Sequence, residues 1–460
     1  MTDTVYDLVI LGAGSGGYAA ALSGAQLGLK VALIEADKVG GTCLHRGCVP
    51  TKAVLHAAET VDSLREAPAL GINAQLTGID MPKVKAYKDG IINRMYKGLQ
   101  GLIASRGIEY VSGWGRLVAA DTVEVDGRLY RGKNVVLATG STSKTIGQEI
   151  SYPVITSEQA LELDHVTSSA IILGGGVIGV EFASAWTSLG SQVTIIEGLP
   201  HLVPNEDEAI SKQLERAFRK RKIAFKTSTM FERVERTATG VKVFTRDGGV
   251  YEAEVLLIAV GRGPVTENMG FEQVGVKMER GFVLTDAYCR TNIPGVWAVG
   301  DIVPGVQLAH RGFAQGIQVA ETIAGLETRP VDDTLVPKVT FCEPEIASVG
   351  LSEAKAKDKY GADAVVTSEF NVAGNAKSQI LGTQGFVKLV ALKDGPIVGF
   401  HAIGARMGEQ VGEGQLMVTW EAYADDVAAL VHAHPTQNET LGEAAMALAG
   451  KPLHNHGRDR

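Results

Sequence analysis

Two cysteines five residues apart, in Cys43-Leu-His-Arg-Gly-Cys48-Val-Pro-Thr-Lys52, are the residues of this chain whose types and spacing point most directly to chemistry. Five residues of regular helix rise about 7.5 Å, too far for a relaxed disulfide. The pair can bridge only where the chain tightens between the sulfurs, and Gly47 makes that feasible. Pro50 suits the first turn of a helix over 51–64. The second sulfur would then lie close to a helix N-terminus, which stabilises a thiolate. Lys52 is four residues beyond Cys48 and can share its helical face, where an ammonium lowers a thiol pKa further. Two buried free cysteines are the plain alternative. Close-spaced cysteines in a cytosolic chain are more often catalytic or metal-bound than structural. Zinc is disfavoured, because no second ligand pair has suitable spacing. Cys289 and Cys342 have no close partner and read as small packing residues.

The elements that must position such a pair show up as a duplication. Residues 6–35 run from an apolar stretch through Gly12-x-Gly14-x-x-Gly17 into a helical pattern and end in VALIE at Glu35. Residues 170–197 repeat the plan with Gly174-x-Gly176-x-x-Gly179, ending at Glu197. In both copies 23 residues separate the first glycine from the acid, and Leu27-Gly28 and Leu189-Gly190 share the same offset of 162. Each copy continues into a hairpin pattern turned at Asp126-Gly127 or Asp247-Gly248, then a strand pattern, VVLATG at 135–140 or VLLIAVG at 255–261. A lone GxGxxG also occurs in ordinary structural turns. With strand, helix and acid correctly spaced, and twice over, it predicts two dinucleotide-binding units. The glycines allow the turn, the approach of a diphosphate and helix–strand packing, and the acid accepts from ribose hydroxyls. A carboxylate at Glu197, with no arginine in the GLPHLVP that follows, favours NAD over NADP.

Composition bounds the rest. The 460 residues suggest two to four domains. The 55 glycines are about 12% of the chain against a usual ~7%, with no collagen-like period. A net charge of −8, from 44 basic and 52 acidic side chains, argues against nucleic acid as a partner. No apolar run approaches the ~18 residues of a membrane span. The absence of Lys or Arg before Lys30 argues against a secretory or mitochondrial leader, so a cytoplasmic location is expected. Four cysteines are too few for a disulfide scaffold.

Near the C-terminus, His434 precedes Pro435, a favourable first helical residue, so a helix is expected to begin there. Glu439 lies five residues on. A carboxylate on one ring nitrogen fixes the tautomer and raises the basicity of the other, which suits a base for a dithiol. An ordinary surface histidine is the alternative. His432 reads as structural, and metal binding at His454 and His456 is only a weak possibility, so no metal site is assigned.

GGTCLHRGCVPTK set between two dinucleotide units resembles the pyridine nucleotide–disulfide oxidoreductases. The resemblance covers essentially the whole chain, with further matches in TNIPGVWAVGD at 291–301, LAH at 308–310, FCEPEIASVG at 341–350 and HAHPTQNE at 432–439. RMGEQVGE at 406–413 and HAHPTQNETLGEA at 432–444 are similar to the dihydrolipoyl dehydrogenase branch. The mercuric reductase branch carries a C-terminal cysteine pair that KPLHNHGRDR lacks.

The resemblance implies an α/β chain with two Rossmann-like dinucleotide-binding domains and a C-terminal α+β dimerisation domain. The expected regions are FAD binding over 1–147, NAD binding over 148–265, a return to the FAD unit over 266–335 and an interface domain over 336–460. FAD would lie on Gly12, Gly14, Gly17 and Glu35, with Thr42, Lys52, Gly115, Thr139, Gly140, Asp301 and Ala309 also around it. Asp301 would hold the ribityl chain. NAD would lie on Gly174, Gly176, Gly179, Glu197 and Gly261. Cys48 would face the flavin as the charge-transfer thiolate, Cys43 would be the exposed interchange thiol, and Lys52 would pair with Glu181. His434, supported by Glu439, would come from the other subunit of a homodimer. The implied reaction is oxidation of a dihydrolipoyl group on a carrier domain by NAD+, through a Cys43–Cys48 disulfide and FAD. The alternatives are a reductase of another disulfide or electrophile (glutathione-, mycothione- or mercuric-reductase-like) and a non-catalytic nucleotide-binding scaffold. His45 and Arg46 depart from the family's common residues there, and two extra basic groups are expected to bear on the thiols or the substrate entrance.

Overall fold

The computed structural model describes residues 5–455. Its first sheet is parallel at its centre, in the order Glu109–Ser112, Val31–Glu35, Val5–Leu11, Arg128–Leu137, with Val296–Ala298 alongside the last. An antiparallel pair, Gly115–Ala119 and Thr122–Val125, extends it. The second sheet repeats the parallel order with Ala224–Lys226, Gln192–Ile196, Ser169–Leu173, Val255–Ile258 and Val154–Thr156. These central strands are apolar on both faces because both faces are covered, so Leu8, Val9 and Ile10 are fully buried. In each unit the glycine-rich turn leads from the central strand into a helix, Ser15–Gln26 or Val177–Leu189.

The chain leaves the first unit and returns to it through one short antiparallel ribbon, Ser141–Ser143 with Arg262–Pro264. The returning segment supplies Val296–Ala298 and the Ala309–Ile323 helix, which packs on Ser15–Gln26. That contact is close: a Cβ at Gly316 would lie 2.3 Å from the Gly16 carbonyl oxygen. Residues 338–404 then build a five-stranded antiparallel sheet, followed by the helices Met407–Thr419 and Glu439–Leu448. The expected helix start at Pro435 is not where the chain places it. Residues 434–438 form a turn, and the helix begins at Glu439, whose Oε2 accepts the Thr436 N–H. The carboxylate closes that turn, which delays the helix.

One core joins all three parts. Val54, Ala58 and Val61 of the Cys48–Glu66 helix pack with Phe182 and Trp186 of the second unit and with Cys342, Ile346, Phe386 and Ile403 of the third. A polar row reinforces the contact between the last two. Lys338, Ser348, His401, Lys388 and Glu369 are successive cross-strand neighbours on one face of the antiparallel sheet. They meet the start of the Glu208–Lys220 helix, where Lys338 pairs with Glu206 at 3.1 Å and Ser348 donates to the same carboxylate. Lys388 pairs with Asp207 at 2.9 Å and Glu353 at 2.6 Å.

Burial alone would raise the Asp207 carboxyl, but hydrogen bonds from Lys388 and the Glu353 N–H outweigh it and hold the pKa below its ordinary 3.8. Burial likewise opposes the Lys388 charge, and its two acid partners raise it above 10.5. The stabilisation from Asp207 is therefore complete above about 3.8 and lost as pH falls further, and that from Lys388 is lost only above 10.5. Lys388→Met leaves a buried carboxylate without its cation, a loss of about 3 kcal/mol. The expected result is a lower urea midpoint at pH 7, with the gap to the parent chain closing as pH drops below the carboxylate range.

Candidate active site

The two cysteines lie on either side of a break between helices. Gly41–His45 ends at Arg46, and a new helix starts at Cys48, its first residue. Gly47 between them has φ −136° and ψ −105°, and a Cβ there would lie 3.1 Å from the Thr42 carbonyl oxygen. The turn places Cys43 and Cys48, both free thiols, on the wall of one cavity. The Cys43 S–H donates to the Cys48 thiolate, which lowers Cys48 to about 7; burial opposes this and Lys52 adds to it. Cys43 moves upward for the same reason, first by that hydrogen bond and then by burial. The two thiols titrate as a linked pair, and the proton stays on Cys43. Cys48 is the more exposed of the two. Cys48, the first residue of its helix, and Cys43, in the preceding Gly41–His45 helix, both line the cavity between the two dinucleotide units.

Lys52 follows one turn along the same helix. Its Nζ donates to both oxygens of Glu181 at 2.8 and 2.9 Å and sits 4.7 Å from the centre of the Phe341 ring. Glu181, 4% exposed at its side chain, also accepts the Phe341 N–H at 2.9 Å. One carboxylate from the second unit thus ties the lysine of the first to the backbone of the third.

Both glycine cradles have the same construction. A Cβ at Gly12 would lie 2.3 Å from the Ala138 carbonyl oxygen, and one at Gly174 2.4 Å from that of Ala259. A Cβ at Gly17 or Gly179 would meet the carbonyl of the first glycine at 1.8 or 1.9 Å. Gly14 and Gly176 face open space. Glu35 and Glu197 each accept the backbone N–H between the first two glycines, from Ala13 at 2.7 Å and from Gly175 at 2.5 Å. Each also accepts the N–H two residues past itself. These carboxylates fix the loop as well as offering remaining lone pairs to a ribose.

A cavity of about 1710 Å³ connects the two cradles. Gly12, Gly14, Glu35, Thr42, Cys43, Cys48, Lys52, Gly115, Thr139, Gly140, Asp301 and Ala309 line it from the first unit and its return. Gly174, Gly176, Glu181, Glu197 and Gly261 line it from the second. Gly17 and Gly179 pack behind the cradles, consistent with helix–strand contact.

His434 and Glu439 are together but stand apart from this cavity. His434 Nδ1 is 2.7 Å from Glu439 Oε1, and the ring is 71% exposed. Hydrogen bonds from the Thr436 N–H and from His434 hold the Glu439 carboxyl below its ordinary value, against the opposing effect of burial. His432 is engaged by Glu413 at 2.8 Å, and His454 by Glu443 at 2.7 Å. His456 lies outside the described residues. Among the described residues no group of three or more His, Cys, Asp or Glu could hold a metal ion, and no helix is long and apolar enough to cross a membrane.

The expectation for two extra basic groups at the thiols needs correction at His45. Its Nε2 bonds the Val39 carbonyl oxygen at 2.9 Å and its ring stands edge-on to Tyr96, which turns it away from the cavity. Arg46 does line the cavity, paired with Asp37. The sequence reading missed Arg262 and Ser141. Arg262 Nε donates to Ser141 Oγ at 2.8 Å, and that hydroxyl donates to Asp301 Oδ2 at 2.5 Å. Their position just beyond the carboxyl ends of two parallel strands, where ligands bind in open α/β sheets, was the available signal.

Doubled dinucleotide cradles, with a dithiol at the first and a cation–carboxylate pair behind it, define a nucleotide-linked disulfide oxidoreductase. The chain belongs to the pyridine nucleotide-disulphide oxidoreductase family: that family's model matches residues 6–316 and its dimerisation domain matches 336–445. Among similar proteins is a dihydrolipoyl dehydrogenase of Bacillus subtilis, 36% identical, with 98% of this chain and 99% of the relative covered. One from Thermus scotoductus is 37% identical over 98% of both chains. The mitochondrial dihydrolipoyl dehydrogenase 1 of Arabidopsis thaliana is 36% identical over 97% of this chain and 91% of its own. Of solved structures, LpdA from Mycobacterium tuberculosis superposes with a TM-score of 0.90 at 27% identity, over 97% of this chain and 99% of that one. The HOCl-induced flavoprotein disulfide reductase RclA from Escherichia coli gives 0.86 at 25%, over 96% and 99%. FAD and NAD are the cofactors that go with this family, and the open second glycines, the paired acids and the connecting cavity fit both.

The thiol titration is measurable without any cofactor. Alkylation of Cys48 by iodoacetamide is expected to rise with a midpoint near pH 7, against 9 for an ordinary thiol. Lys52→Met should move that midpoint upward, and an unchanged midpoint would separate the ammonium from the thiolate.

Proposed function

We propose that the chain is a dihydrolipoyl dehydrogenase: dihydrolipoyl group plus NAD+ gives lipoyl group, NADH and a proton. The observation that carries this reading is the pair of cysteines on the wall of a cavity shared by both dinucleotide cradles. In the oxidised enzyme Cys43 and Cys48 are joined. One substrate thiol, deprotonated by His434 Nε2, attacks the Cys43 sulfur and releases Cys48 as a thiolate. The second substrate thiol, as thiolate, then attacks the substrate sulfur of the mixed disulfide, which closes the lipoyl ring and frees Cys43. FAD would supply the two-electron passage from the dithiol to NAD+, which accepts a hydride. Lys52 and the N-terminus of the Cys48–Glu66 helix hold negative charge at Cys48 through these steps. Glu439 keeps His434 Nε2 as the free, basic nitrogen.

The same proposal assigns FAD to Gly12, Gly14, Gly17, Glu35, Thr42, Lys52, Gly115, Thr139, Gly140, Asp301 and Ala309, and NAD to Gly174, Gly176, Gly179, Glu197 and Gly261. It divides the chain at 147, 265 and 335, and the ribbon at 141–143 and 262–264 supports the first two boundaries. Because His434 lies off the cavity of its own chain, the base is supplied by a second copy. Exposed apolar side chains in the same domain, with Trp420 74% and Val431 99% exposed, support a homodimer. The carrier is a lipoylated domain of a multienzyme complex, and the location is cytoplasmic.

The test is steady-state oxidation of dihydrolipoamide by NAD+, run beside NADH-dependent reduction of glutathione disulfide, mycothione and Hg(II). Dihydrolipoamide is expected to be the preferred substrate by at least tenfold in kcat/KM. Cys43→Ser and Cys48→Ser should each abolish turnover, and His434→Gln should lower kcat by about 100-fold or more. A preference for another acceptor would overturn the substrate assignment.

A further inference from the structure

Arg262 is a half-buried cation at the cavity that the proposed reaction does not use. It belongs to the exit strand of the second unit, yet its hydrogen bonds reach into the first. Nε donates to Ser141 Oγ at 2.8 Å, Nη2 to the Ser141 carbonyl oxygen at 2.6 Å and Nη1 to Ser143 Oγ at 3.3 Å. Ser141 has one hydroxyl proton, and it goes to Asp301 Oδ2 at 2.5 Å. The arginine occupies the hydroxyl's acceptor side, so the hydroxyl is held with its proton on the carboxylate. Arg262, Ser141 and Asp301 form a directed relay, and all three line the same cavity as Cys48.

We propose that Arg262 is a positioning residue of the redox site, which sets the Asp301 carboxylate through Ser141. This rests on the proposed FAD seat at Asp301. A guanidinium suits the task, because its fork holds the serine hydroxyl and carbonyl together. A lysine keeps the charge but not the fork.

Three variants test the relay: Arg262→Lys, Arg262→Met and Ser141→Ala. FAD affinity is read by flavin fluorescence on the FAD-depleted full-length chain. The pH profile of Cys48 alkylation by iodoacetamide in the same material is the readout that the relay leaves alone, and circular dichroism confirms that each variant is folded. Arg262→Met and Ser141→Ala are each expected to weaken FAD binding about tenfold with the alkylation midpoint unchanged. Arg262→Lys, without the fork, should lose affinity to a similar degree. Parent affinity in folded Arg262→Met or Ser141→Ala would overturn the proposal. So would a shifted midpoint accompanying the loss in all three variants, which marks a packing role alone. If Arg262→Met does not fold, Ser141→Ala decides. Parent protein that binds no FAD would instead refute the cofactor seat.

Discussion

The carboxylate of Glu181 is the constraint on which the site depends. A buried carboxylate is tolerated only when its lone pairs are satisfied, and breaking a buried pair from one side costs several kcal/mol. Glu181 meets this demand with partners from the other two parts of the chain, the Lys52 ammonium and the Phe341 N–H. The same contacts hold Lys52 one helical turn from Cys48, on a helix whose first residue is the reactive sulfur. A second junction lies further along the same helix pair. Arg221 donates to Ser184 Oγ, Ser188 Oγ and the Glu343 carbonyl oxygen, and it approaches Asp62 at 3.3 Å. The thiol chemistry is therefore anchored by the docking of the three parts, and loosening that docking would be felt first at Lys52.

The two dinucleotide units are built alike up to the point where their tasks diverge. In both, the acid ending the second strand accepts the N–H inside the glycine turn. In both, a later residue returns to donate to the carbonyl of that same turn: Gly40 to Ala13, and Val203 to Gly175, each at 2.8 Å. Past this bond the first copy runs through Gly41 into the short helix carrying Cys43, while the second leads to the Asp207 cap of the Glu208–Lys220 helix. Gly41 sits so close to the first cradle that a Cβ on it would lie 2.7 Å from Gly14 Cα. The cysteines thus occupy a return loop that the cradle itself positions. In the second copy the equivalent loop docks the third domain through Asp207 and Lys388.

Local signals in the sequence predicted most of this. The repeated glycine–acid spacing predicted both cradles, and the Asp-Gly turns predicted both hairpins, because each rests on backbone conformations that few residues satisfy. The cysteine spacing, with Gly47 and Pro50, predicted a break followed by a helix. The features that escaped notice depend on partners distant in sequence. Ser141 and Arg262 are 121 residues apart and meet only because a ribbon pairs them. The row from Lys338 to Glu369 emerges only from cross-strand register. His45 looked like a charge at the thiols, but its direction is decided by the Val39 carbonyl and Tyr96. The preference of proline for the first helical turn misplaced the helix start at Pro435, because Glu439 closes a turn first.

The separation of His434 from the cavity follows from the same architecture. The sulfurs lie inward, on a helix start that must face both cradles, so that face of the cavity is committed to the dinucleotides. His434 lies outside that cavity, oriented by Glu439 through Nδ1 and exposed over most of its ring. An imidazole fixed at one nitrogen and open at the other suits a surface that another copy will cover, since a base for a thiol must lie within hydrogen-bond reach of it. On the proposed roles, a single chain carries the sulfurs and the base on different faces. Bringing them together by refolding would break the Glu181 and Lys388 junctions, whereas two-fold association with a second copy leaves them intact.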